Sequence, residues 1–181
     1  MFNKPMELSA ALAANLDAAY PEVVRALQGQ VFSTARQLLG NRHDAEDAAQ
    51  ETFVRVYRAL SRFSTERILD LRIRSYVWTT LINVCRNQAR SSRRHPQTAL
   101  EVDHGFVDPG STGVEASATW GPRLARLPER QRTAVVMHHV AGLPYVEVAE
   151  ALGVPVGTAK ADVHRALARL RTMIETEGEV A

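Results

Sequence analysis

A single cysteine, Cys85, stands among 181 residues, so no internal disulfide can form and no Cys-rich zinc or iron–sulfur site can be built. By itself it reads as a small, partly buried helix residue. No apolar run reaches the length of a membrane span. The Ala-rich start from Ser9 to Ala14 has Glu7 and Asp17 close by, so neither end reads as a targeting segment. The expectation is a soluble, cytoplasmic chain without membrane insertion. Also missing are a Gly-rich phosphate loop followed by Lys and Ser/Thr and a nucleotide-binding glycine fingerprint, so neither ATP nor any other cofactor is expected. Net charge is nearly absent too: the formal value is +2, which by itself says little about a polyanionic partner.

What is present is unevenly distributed. From Leu71 to Leu100 there are six arginines, Arg72, Arg74, Arg86, Arg90, Arg93 and Arg94, and no Asp or Glu. The next stretch reverses sign, with Glu101, Asp103, Asp108 and Glu115 set among Gly105, Pro109, Gly110, Ser111, Thr112 and Gly113. That composition describes a flexible acidic linker. With 45% hydrophobic residues, the flanking parts can each bury a core.

Both flanks show helical periodicity without alternating strands, which predicts an all-α protein of two small helical domains. In the first, Asn41 is placed to cap a helix running to Leu60, whose apolar stripe is Ala45, Ala48, Thr52, Val56 and Leu60, with Ala49 and Phe53 beside it. Asp47, Glu51, Arg55 and Arg58 fall on another face, acidic before basic, as the helix dipole favours. A second helix is expected over 73–90, where Tyr76, Val77, Trp78, Leu81, Ile82, Val84 and Cys85 lead into the arginines. Aromatics beside a cationic end suit stacking on unpaired bases, but the same spacing suits a packed core with a solvated basic face.

In the second part, a break at Pro128 precedes Arg130-Gln131-Arg132-Thr133-Ala134-Val135-Val136, and a short helix follows from Tyr145 to Leu152. Gly153 supplies its stop, because glycine tolerates positive φ cheaply. Pro155 opens a last helix over about 156–174, with Ala159, Val163, Ala166, Leu167 and Leu170 expected inward. A helix, a Gly-containing turn and a basic second helix form the pattern of a helix-turn-helix, with Ala149 small enough for close approach. Lys160, His164, Arg165, Arg169 and Arg171 then project toward phosphates and base edges. A purely structural helical hairpin with a basic face would share this pattern.

At this point the chain resembles the extracytoplasmic-function class of bacterial sigma factors from Tyr20 to Arg171, through three blocks in order. Asp44-Ala45-Glu46-Asp47-Ala48-Ala49-Gln50-Glu51-Thr52-Phe53 is similar to the region 2 helix that docks on the polymerase clamp, which implies Asp47, Gln50 and Glu51 as docking residues. Tyr76 to Arg94 resembles the part of region 2 that melts and reads the minus-ten element, implying contacts from Asn83, Asn87, Arg90, Arg93 and Arg94. The block from Leu127-Pro128-Glu129-Arg130-Gln131-Arg132 through Leu170-Arg171 resembles region 4, whose helix-turn-helix reads the minus-thirty-five element. There Gly157-Thr158-Ala159-Lys160 is close to the family's usual Gly-Thr-Val-Lys, and Thr158, Lys160, Ala161, Asp162, His164, Arg165 and Arg169 are the implied contacts. Ala161 and Asp162 depart from the family's small polar residue and arginine. An acid repels phosphate, so Asp162 is expected either to accept from a cytosine amino group or to orient Arg165.

The resemblance divides the chain into an N-terminal arm (1–19, disordered or a short extra helix), region 2 (20–95), linker (96–118), region 4 (119–176) and tail (177–181). It implies a non-enzymatic factor that binds core RNA polymerase through clamp and flap, recognises and melts promoter DNA, and is held by an anti-sigma protein. Two rivals make different demands. A stand-alone helix-turn-helix regulator needs a sensor domain, usually with a pocket or doubly wound sheet, where this chain reads as helix. A metal-dependent hydrolase would have to use His43, Asp44, Glu46 and Asp47, or His138 and His139. Acid clusters on helices are mostly solvated surface, and adjacent histidines point apart.

Overall fold

The structure, a computed structural model, describes residues 5–94 and 114–178. Among the described residues the regular elements are all helices, with α1 (Pro5–Ala14), α2 (Leu16–Leu39), α3 (Arg42–Leu60), α4 (Thr65–Asp70) and α5 (Ile73–Arg94) before the linker stretch. After it come α6 (Val114–Ala125), α7 (Glu129–His139), α8 (Tyr145–Leu152) and α9 (Val156–Gly178). None of these helices is long and apolar enough to cross a membrane.

In the first unit, α2, α3 and α5 pack together around Val31, Ala35, Val56, Val77, Trp78, Leu81 and Ile82. The expected α3 stripe is the buried one, and its Ala45 and Ala48 bring the backbones of α2 and α3 close. Asn41 caps α3 as its position predicts, its side-chain oxygen accepting from the Asp44 backbone N–H at 2.7 Å. Just before it, Gly40 ends α2 at φ +85°, and its N–H donates to the Arg36 carbonyl. Tyr20 ties the two helices together, its hydroxyl donating to the Phe53 carbonyl at 2.5 Å.

The described residues ahead of Tyr20, 5–19, belong to this unit. Leu12 of α1 is buried, α1 packs on α4, and the Ser9 hydroxyl donates to the Leu71 carbonyl at 3.0 Å. Of the two expectations for this stretch, the short helix is the one observed, and it is packed into the bundle. Trp78 is a core residue, fully buried, so the stacking alternative does not apply to it.

The second unit buries Leu124, Leu127, Val136, Met137, Leu143, Val148, Ala159, Val163, Ala166 and Leu170 among α6 to α9. The expected stop appears at Gly153, with φ +66°, and the Pro155 carbonyl accepts from the Thr158 and Ala159 N–H groups to start α9. Two expectations need correction. α6 begins at Val114, inside the stretch read as linker, whose residues 96–113 lie outside the described ones. Leu167 does not face inward; Ala166 and Leu170 already fill the inner stripe, and Leu167 turns out at 36% exposure.

Candidate nucleic-acid interfaces and the junction between them

The amphipathic pattern of α9 sets its two faces. Ala159, Val163, Ala166 and Leu170 press against α7 and α8, which leaves Lys160, His164, Arg165 and Arg169 exposed, with Thr158 and Ala161 partly so. Lys160 lies over the Tyr145 ring at 5.7 Å, and that ring stacks on His138 with centroids 4.1 Å apart. One end of α9 is thereby seated on α8 and α7. His138 is committed structurally, its Nδ1 lying 2.7 Å from the Leu143 carbonyl.

Asp162 is on the recognition helix but not at its surface. Its side chain is fully buried between two arginines: Arg130 of α7 approaches through Nε at 2.6 Å and Nη2 at 3.3 Å, and Arg165 through Nη2 at 2.8 Å. Burial pushes the carboxyl pKa up, but the hydrogen bonds and charges of Arg130 and Arg165 outweigh it and hold the pKa below its ordinary value. The expectation that Asp162 accepts from a cytosine is corrected, because no base can reach a carboxylate enclosed this way. Its alternative, orientation of Arg165, matches the geometry. Nothing local in the sequence marks Arg130, since its role comes from a partner 32 positions away.

In the first unit, Asn83, Asn87 and Arg90 are exposed along one face of α5 at spacings of four and three residues. The side chains of Arg93 and Arg94 lie outside the described residues. On α3, Asp47 and Gln50 are exposed and Glu51 partly so, with Glu51 paired to Arg55 at 2.6 Å and Asp47 3.7 Å from His43. The three proposed docking side chains thus share the solvent face of a helix whose opposite face is core.

The two units meet where α5 packs against α8 and α2 against α7. Arg74 donates to Glu147 at 3.1 Å, Arg72 pairs with Glu150, the Ser75 hydroxyl donates to Glu150 at 2.8 Å, and Arg86 meets Glu129 at 3.1 Å. Three arginines of the acid-free run therefore find carboxylates in the other unit. Beyond the junction, Val140, Leu167 and Ile174 border an apolar groove of about 720 Å³ floored by Leu124, Val136 and Leu170.

Residues 23–95 match the family described as Sigma-70 region 2, and residues 123–170 match Sigma-70, region 4. A curated relative, the ECF RNA polymerase sigma factor SigM of Mycobacterium tuberculosis, is 30% identical over 168 residues, covering 93% of this chain and 83% of its own. The chain belongs to the extracytoplasmic-function sigma factors. SigW of Bacillus subtilis is another relative of this sigma factor, 25% identical over 86% of this chain and 89% of its own. Two solved structures share the fold. CnrH, in complex with the cytosolic domain of CnrY, superposes with TM-score 0.73 at 21% identity, over 94% of this chain and 97% of that one. RpoE of Bartonella quintana, in complex with the anti-sigma factor NepR, gives 0.70 at 22% identity, over 86% and 96%. As a sigma factor, the protein binds core RNA polymerase and directs it to promoters; it is an initiation factor, not an enzyme.

Proposed function

We propose that the sigma factor divides promoter recognition between two helix faces. Thr158, Lys160, Ala161, His164, Arg165 and Arg169 of α9 meet the minus-thirty-five duplex in its major groove. Asn83, Asn87, Arg90, Arg93 and Arg94 of α5 capture the minus-ten element, where binding an unstacked base draws energy into local melting. Asp47, Gln50 and Glu51 dock on the polymerase clamp, and region 4 makes a second contact at the flap. The observation that carries this reading is the exposure of the polar face of α9 while its apolar face is locked against α7 and α8.

Two separate polymerase contacts joined by a tether act through effective concentration, so each can be weak while the assembly is tight. An anti-sigma protein is the expected inhibitory partner, supported by the complexes in which the CnrH and RpoE structures were solved. The site of action is the cytoplasm.

Run-off transcription from a random promoter library, with core polymerase in the presence and absence of the protein, tests the reading. Transcripts that depend on the protein, from templates sharing two spaced motifs, are expected. Binding of a symmetric operator without polymerase, and no dependent transcripts, would make it a stand-alone regulator instead.

A further inference from the structure

The buried carboxylate of Asp162 joins two helices that its sequence position gives no hint of joining. Its Oδ2 takes the Nε–H of Arg130, and its Oδ1 is shared between Nη2 of Arg130 and Nη2 of Arg165. Both arginine side chains stay about half exposed, at 54% and 53%, while the Asp162 side chain between them has no exposure. Each arginine uses only part of its five-donor fork on Asp162, so both keep N–H groups beyond those given to their shared anchor. Two positive charges against one buried negative charge leave one net positive charge at the flank of α9.

That balance selects the ligand. A guanine edge offers two acceptors but no charge, whereas one phosphodiester carries a single negative charge and oxygens suited to guanidinium forks. Pre-ordering the two long side chains also removes rotamer entropy that binding would otherwise cost. We propose that Asp162 is a positioning residue that holds Arg130 of α7 and Arg165 of α9 as one fork for a single backbone phosphate of the minus-thirty-five duplex. The inference rests on the α9 reading given under Proposed function and adds to it Arg130, a residue outside the recognition helix.

The sign of one substitution separates this role from simple charge repulsion. If Asp162 only repelled DNA, Asp162→Asn would tighten binding. As a positioning residue, its loss weakens binding although the protein gains positive charge. The test uses the full chain with core polymerase on promoter DNA whose minus-thirty-five phosphodiesters are replaced, one at a time, by neutral methylphosphonates.

For the wild type, one replacement is expected to weaken binding about tenfold, the size of one charge-assisted hydrogen bond. In Asp162→Asn, binding to unmodified DNA falls by a similar factor, the same replacement has no further effect, and the slope of log K against log salt becomes shallower by about one unit. Arg130→Ala leaves Asp162 partnered by Arg165 and should give the same profile, which carries the test should Asp162→Asn fold poorly. Tighter binding by Asp162→Asn, or a methylphosphonate profile unchanged in both variants, would overturn the inference while leaving α9 as the reader. A wild-type complex insensitive at every phosphodiester, with Lys160→Ala also silent, would remove the α9 reading and this inference together.

Discussion

Arg74, in the first turn of α5, and Glu147, on α8, meet at 3.1 Å across the junction of the two units, although 73 positions separate them. Beside them Arg72 and Ser75 share Glu150. The start of the acid-free arginine run is thus matched, before any DNA arrives, by carboxylates from the first helix of the helix-turn-helix.

Replacing both carboxylates, Glu147→Gln with Glu150→Gln, should loosen this junction. Partly exposed pairs of this kind contribute up to about 1 kcal/mol each and weaken as salt screens them. Small-angle scattering of the free protein is expected to show a larger radius of gyration for the double variant at low salt, with the wild type approaching it at high salt. Identical curves would mean that apolar packing of α5 on α8 holds the units together unaided.

Acid stability should report on Asp162. Its folded-state pKa lies below the ordinary value, so its contribution is complete above the unfolded-state pKa of about 3.9 and is lost as pH falls through the folded-state value. Asp162→Asn should therefore have a lower melting temperature at neutral pH and a shallower decline below about pH 4 than the wild type. Thermal unfolding monitored by circular dichroism across that range measures both. Parallel acid limbs would argue that the buried carboxylate contributes no pH-dependent stability.

Tyr20→Phe removes the hydroxyl that donates to the Phe53 carbonyl while preserving the ring packed edge-on against Tyr57, with centroids 5.2 Å apart. A loss of about 1 kcal/mol in urea unfolding is expected, the usual net value of one such hydrogen bond. Association with core polymerase should be unchanged, since the proposed docking residues Asp47, Gln50 and Glu51 lie on the solvent face of α3, away from its core contact with Tyr20.

Paired substitutions on the proposed recognition face of α9 and the proposed docking face of α3 should produce opposite phenotypes. Lys160→Ala with Arg165→Ala should weaken promoter binding and flatten its salt dependence while leaving polymerase association intact. Asp47→Ala with Glu51→Ala should release core polymerase and leave stability within about 0.5 kcal/mol, because these side chains are surface groups. Co-sedimentation with core polymerase and filter binding of promoter DNA separate the outcomes. Loss of polymerase association in the first pair, or its retention in the second, would relocate the docking face.

Legibility from sequence followed the range of the interaction that decides each feature. α3 and α8 were readable almost to the residue because their limits are local: Asn41 caps its own helix, and Gly153 adopts the positive φ that ends α8. α4, six residues long and capped by Ser64, is too short to show a period, and α1 reveals its purpose only through contacts with α4 and Leu71. Among site residues, Asn83, Asn87, Arg90, Lys160 and Arg165 were legible as surface polar groups on amphipathic helices, and they are exposed. The burial of Asp162 is not legible in the sequence because it is tertiary, created by Arg130 arriving from α7. Leu167 differs from the expectation for a related reason: residues at the margin of an apolar stripe face core or groove according to what packs beside them.

The eight residues of α8 also predict how freely this part of the sequence can vary. Val148, Ala149 and Ala151 face the core, partly buried Leu152 packs against it, Glu147 and Glu150 face α5, and Tyr145 is held between His138 and Lys160. Substitutions at these seven positions must satisfy the fold of one unit or its fit to the other, leaving exposed Val146 as the position where neutral drift should concentrate. In a deep mutational scan, α8 should stand out as a narrow band of intolerance interrupted at that one site.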